Sequence, residues 1–108
     1  MADILATLEQ TIAERRSADP ASSYVAKLFA AGRPKIAQKV GEEAVATVIA
    51  ALGGDSPTLV SETADLIFHL AVLLAEQGLS FADVLAEIAR REGMSGIAEK
   101  AARASPST

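Results

Sequence analysis

The sequence predicts an all-α protein, an antiparallel bundle of helices that a second copy of the chain completes. Three observations point there. Alanine and leucine dominate and aromatic residues make up only 4% of the chain, so the alternating runs of a sheet are scarce. Glycine and proline fall at intervals that cut the chain into helical lengths. One segment, with Leu66, Ile67, Phe68, Leu70, Val72, Leu73 and Leu74, is apolar nearly all round a helix. Such a helix must be covered on several sides, and one chain of 108 residues supplies few covers.

The elements follow in order. The first helix is expected from about Ile4 to Arg16, with Ile4, Leu5, Leu8 and Ile12 on one face; Ser17-Ala18-Asp19-Pro20 breaks it. Ser22 or Ser23 caps a short helix through Tyr24, Val25, Leu28 and Phe29, ending at Gly32. A third helix starts near Pro34, runs to about Leu52 and stops at Gly53-Gly54. Ser56 is the expected N-cap of a fourth, with Pro57 at its first position and Gly78 just past its end at Gln77. The short loop from Gly53 to Asp55 makes these two long helices an antiparallel hairpin. Ser80 caps a fifth helix to about Arg91, with Asp83 closing a capping box and Phe81, Val84, Leu85 and Ile88 as its apolar residues. A short helix from about Ser95 to Arg103 follows. Residues 1–103 read as one helical domain and Ala104 to Thr108 as a frayed tail.

Composition narrows the function. A net charge of −4 argues against a general nucleic-acid or membrane-surface binder. The chain has no cysteine, which excludes disulfides, thiolate catalysis and Cys-based zinc sites. Met1 to Leu8 contains Asp3 and lacks the basic start of a signal peptide. The longest apolar stretch, Leu66 to Ala75, is interrupted by His69 and falls short of the roughly 20 residues a bilayer span needs. The expectation is a soluble, cytoplasmic homodimer.

A polar stripe interrupts the apolar helices. Residues three, four and seven apart share a helix face. Lys39, Glu42, Glu43 and Ala46 fall on one face of the third helix, with Val40, Ala44, Val48 and Ala51 roughly opposite. On the fourth, Glu62, Asp65 and His69 line up, with Glu76 two turns on. Carboxylates packed together repel, and a hard divalent cation such as Mg²⁺ relieves the repulsion with oxygen ligands while sharing a site with substrate phosphates. A carboxylate cluster of this kind can clamp a polyphosphate and lower the pKa of a bound water. Lys27, Lys39, Arg90 and Arg91 are the candidate phosphate-binding cations. The same spacing is also common on plainly solvated faces, and a lone His69 on an apolar helix is more often structural than a ligand. No glycine-rich phosphate loop is present.

Several stretches resemble one family in order and spacing. KVGEEAVATVIAA (Lys39 to Ala51) and ETADLIFHLAVLL (Glu62 to Leu74) are similar to the phosphoribosyl-ATP pyrophosphatases of histidine biosynthesis. So are SSYVAKLFAAG (Ser22 to Gly32) and GLSFADVLAEIARREGMSG (Gly78 to Gly96). The resemblance implies the all-α, MazG-like pyrophosphohydrolase fold and Mg²⁺-dependent hydrolysis of phosphoribosyl-ATP to phosphoribosyl-AMP and pyrophosphate. It also implies that the cyclohydrolase domain fused to many relatives is here a separate enzyme. The family pattern, Glu-Glu-x-x-Glu and then Glu-x-x-Asp, maps onto Glu42, Glu43, Glu62 and Asp65. On this reading Glu43, Glu62 and Asp65 bind the metal, and Glu42 is a further ligand or orients the attacking water. Lys27, Lys39 and Arg90 or Arg91 hold phosphates, while His69 contacts substrate or fixes a carboxylate. Two positions depart from the pattern: Ala46 stands where the third Glu belongs, and Phe68 precedes His69 in place of Tyr. A house-cleaning pyrophosphohydrolase acting on another nucleotide, or a helical dimer module weakened by Ala46, are the rival readings.

Overall fold

A computed structural model describes residues 3–92 and Arg103. Five helices occupy them: α1 Ile4–Arg15, α2 Tyr24–Ala31, α3 Arg33–Gly53, α4 Ser56–Glu76 and α5 Phe81–Arg90. No strand occurs among the described residues. Of the short helix expected from Ser95, only Arg103, which is helical, is described; the expected tail lies outside the described residues.

The helix ends follow local chemistry. Asp3, unmarked in the sequence reading, caps α1 by accepting from the Ala6 N–H at 3.2 Å. Ser23, not Ser22, caps α2 by accepting from the Ala26 N–H at 3.2 Å. Gly32 is both the end of α2 and the start of α3, at φ +94°, so the chain turns a corner with no linker between the helices. Gly54 ends α3 in the left-handed region at φ +76°. The expected cap of α4 shifts by one residue. Asp55, not Ser56, is the N-cap: its backbone is extended, its carbonyl accepts from the Leu59 N–H at 3.0 Å, and its carboxylate accepts from the Thr58 hydroxyl. Pro57 therefore sits at the second helical position, where its missing N–H is still one without a helical partner. Asp83 accepts from the Ser80 N–H at 2.9 Å, the reach-back half of the capping box.

The core gathers at one end of the α3–α4 hairpin. Ile12, Val25, Leu28, Ile36, Ala71 and Val72 are buried together, with Leu8, Phe29, Phe68, Leu73, Ala75 and Phe81 packed round them. Arg33 pairs with Glu76 at 2.7 Å and closes this end of the hairpin. Glu76, read in sequence as a continuation of the polar stripe, is held there instead. The Arg16 guanidinium lies 4.2 Å over the Phe29 ring, in the range of a cation–π contact. The α5 helix attaches through Phe81, whose side chain meets the core and whose N–H donates to Glu9 at 2.7 Å.

The other end of the hairpin is uncovered. Only Ile36 and Ala50 of α3 are buried. Among the described residues no helix covers the stretch around Val48, expected opposite the polar stripe: Val45, Val48, Ile49 and Leu52 of α3 are exposed, as is Val60 of α4. The chain exposes 7337 Å², against about 5,700 Å² for a folded monomer of its mass. By length and composition alone α4 also passes for a membrane span, because Ser56 to Asp65 extends the apolar run into one 21-residue helix. Glu62, Asp65 and the buried His69 lie within that helix, and α1, α2 and α3 pack against it.

Ile36 is fully buried where α1, α2 and α4 meet α3. Ile36→Ala should cost about 2–5 kcal/mol in a denaturant unfolding series.

Candidate metal centre

Two helices position the carboxylates. Glu43 projects from the middle of α3, and Glu62 and Asp65 from adjacent turns of α4. One oxygen from each of the three lies within 4.8 Å of the others. Glu43 and Glu62 are half-buried, and Asp65 is exposed. An all-oxygen donor set of three carboxylates fits a hard divalent ion such as Mg²⁺, which completes its shell with water and phosphate. Neither Glu62 nor Asp65 makes a side-chain hydrogen bond or ion pair among the described residues.

Glu42 is not brought into this group. Its Oε2 accepts from Gln38 at 2.7 Å, and its Oε1 lies 3.2 Å from the Lys39 ammonium. The Gln38 bond first, then Lys39, holds the Glu42 carboxyl below its ordinary pKa. Lys39 also lies 3.9 Å from Glu43. Its ammonium is raised above the ordinary value, first by the bond to Glu42 and then by the nearby Tyr24 phenol. Lys39 thus borders the carboxylates and in this structure neutralises two of them in part. Ala46 lies half-buried one turn beyond Glu43.

The remaining candidates are more scattered. Lys27 is exposed on α2, one turn past Tyr24. Arg90 and Arg91 reach back to Glu87 on their own helix, at 2.7 and 3.0 Å. His69 is 5% exposed and both its ring nitrogens are engaged: Nδ1 lies 2.8 Å from the Asp65 carbonyl, and Nε2 lies 2.8 Å from the Tyr24 hydroxyl. Tyr24 and Gln38 are the residues that sequence reasoning missed as neighbours of the site. Gln38 stands one turn before Glu42 and was legible by spacing. Tyr24 lies 45 residues from His69 and carried no local signal.

A helical bundle with carboxylates gathered across its central hairpin is the frame of an all-α pyrophosphohydrolase, a hydrolase. The model of the phosphoribosyl-ATP pyrophosphohydrolase family matches residues 5–92. A phosphoribosyl-ATP pyrophosphatase of Rhizorhabdus wittichii is 68% identical over 103 residues, 95% of this chain and 97% of that protein. Those of Novosphingobium aromaticivorans and Zymomonas mobilis are 69% and 64% identical, each covering 94% of both chains. The chain belongs to the phosphoribosyl-ATP pyrophosphohydrolase family.

The Glu87 carboxyl is lowered from 4.5 to about 2 by hydrogen bonds from Arg90 and then Arg91. Because the folded value is the lower one, this pairing contributes fully above about 4.5 and is lost as pH falls through about 2. A carboxyl NMR titration should place the Glu87 midpoint near 2, and Arg90→Gln with Arg91→Gln should return it towards 4.5.

Proposed function

We propose that this enzyme hydrolyses phosphoribosyl-ATP to phosphoribosyl-AMP and pyrophosphate, the second step of histidine biosynthesis, in the cytoplasm. The observation that carries the reading is identity of 64–69% over nearly the whole chain to relatives named for that substrate. Water attacks phosphorus, the anhydride bond between the α- and β-phosphates breaks, and pyrophosphate leaves.

Glu43, Glu62 and Asp65 would hold Mg²⁺; their clustered oxygens support this assignment. When bound, the ion neutralises charge on the polyphosphate and makes a bound water more acidic. Glu42, kept ionised by Gln38 and Lys39, accepts a hydrogen bond from the attacking water and orients it. Lys39, which borders Glu42 and Glu43, would offer its ammonium to a phosphate. Lys27 and Arg90 or Arg91 add further positive charge to the phosphate chain, the arginines by exchanging Glu87 for it. With Ala46 in place of the family's third Glu, the metal would be held by one protein carboxylate fewer than the family pattern provides.

A second copy of the chain would cover Val45, Val48, Ile49 and Leu52, and the excess exposed surface supports this. The same contact would extend to Val60 and to the apolar side of α5, where Val84, Leu85 and Ile88 are exposed.

Pyrophosphate release measured with phosphoribosyl-ATP and with common nucleoside triphosphates, with and without Mg²⁺, tests the substrate and the metal together. Asp65→Asn should lower Mg²⁺-dependent turnover at least 100-fold (about 3 kcal/mol). Ala46→Glu should reduce the Mg²⁺ concentration needed for half-maximal rate. Unchanged turnover in the first variant would remove Asp65 from the site, and an unchanged Mg²⁺ requirement in the second would make Ala46 irrelevant to it. In sedimentation experiments the wild-type chain should run as a dimer, and Val48→Glu with Ile49→Glu should shift it towards monomer.

A further inference from the structure

The clustered carboxylates on α4 have no hydrogen bonds of their own to aim them. The direction of Glu62 and Asp65 therefore depends on the helix backbone that carries them. Among the described residues, the polar tie from that backbone to another helix at this level runs through His69. Nδ1 faces the Asp65 carbonyl at 2.8 Å, and a carbonyl can only accept, so Nδ1 carries the proton. In the neutral ring Nε2 is then the acceptor, and the Tyr24 hydroxyl donates to it at 2.8 Å. The ring cannot turn freely. Phe68 meets it edge to face with centroids 5.0 Å apart, and Tyr24 meets it likewise at 5.7 Å. Tyr24 itself stacks on Phe68 at 6.0 Å.

We infer that Tyr24 and His69 are positioning residues for the carboxylate site: Tyr24 on α2 fixes the tautomer of His69, and His69 holds the turn of α4 that presents Asp65. This rests on the reading of Glu43, Glu62 and Asp65 as metal ligands. Tyr24 touches neither metal nor substrate in this role. With His69 95% inaccessible, water is a poor substitute for the missing donor. Removing the hydroxyl leaves Nε2 without a partner, and the ring answers by changing tautomer or tilting, which releases the Asp65 carbonyl. The arrangement also explains why a histidine is needed here. Its two nitrogens face a donor and an acceptor on opposite sides, a pairing that no apolar residue can make.

The test uses the full-length chain and Mn²⁺ as the probe, with free Mn²⁺ followed by electron paramagnetic resonance. Imidazole ¹⁵N shifts of the metal-free protein should show the Nδ1–H tautomer of His69 in the wild type and its loss in Tyr24→Phe. Tyr24→Phe should weaken Mn²⁺ binding about tenfold, the low end of what outer-shell partners of a metal site cost. Ile36→Ala, a core change that leaves both Tyr24 and His69 in place, separates aim from stability: it should lower the melting temperature yet keep Mn²⁺ affinity within about twofold. Mn²⁺ affinity of Tyr24→Phe within twofold of wild type, or a wild-type His69 protonated at Nε2, would overturn the inference. Undiminished Mn²⁺ binding in Asp65→Asn would instead overturn the metal reading, and the positioning role with it.

Discussion

In an antiparallel pair of helices, residues stand level when they lie equally far from the turn. Gly54 is the pivot of α3 and α4, and its left-handed backbone allows the reversal to be made in two residues, Gly54 and Asp55. Glu43 and Asp65 lie equally far from it, as do Ile36 and Val72. One turn therefore sets both the register of the buried core and the register of the carboxylates. A residue inserted into either helix would rotate its face by about 100° and separate both sets. The polar stripe and the apolar contact are two levels of the same hairpin.

That economy carries an electrostatic cost. Three carboxylates within 4.8 Å repel one another, on the order of 1–3 kcal/mol per pair depending on how much water screens them. Lys39, 3.9 Å from Glu43, offsets part of this. Nothing comparable stands beside Glu62 and Asp65 among the described residues. A site strained by like charges is poised to take a cation. The core end of the hairpin offsets such strain, because Ile12, Ile36 and Val72 are fully buried there and Arg33–Glu76 closes it. The hairpin thus carries its buried core at one end and its clustered carboxylates nearer its middle.

Much of the fold was legible because helix boundaries are written in short-range chemistry. Gly32, Gly54 and Gly78 take positive φ where glycine stops were expected, and Ser80 with Asp83 forms its expected contact. The cap of α4 was misplaced by one residue because Asp55 and Ser56 are both good caps, and only the path of the backbone distinguishes them. The carboxylates were legible as two separate spacings, Glu42-Glu43 and Glu62-x-x-Asp65. Spacing could not say that Glu42 turns back to Gln38 while Glu43 turns towards α4, since neighbouring residues point about 100° apart on a helix.

By itself, then, the sequence determined the helices, most of their ends, the hairpin and the two carboxylate spacings, because each depends on residues within a turn or two of one another. Tertiary structure alone decided which carboxylates converge, that Glu76 belongs to Arg33, and that the apolar side of α3 lies bare. It alone joined Tyr24 to His69, 45 residues away. These facts depend on how separate helices pack. Packing answers to shape and burial across the whole chain, which no local pattern of residues records.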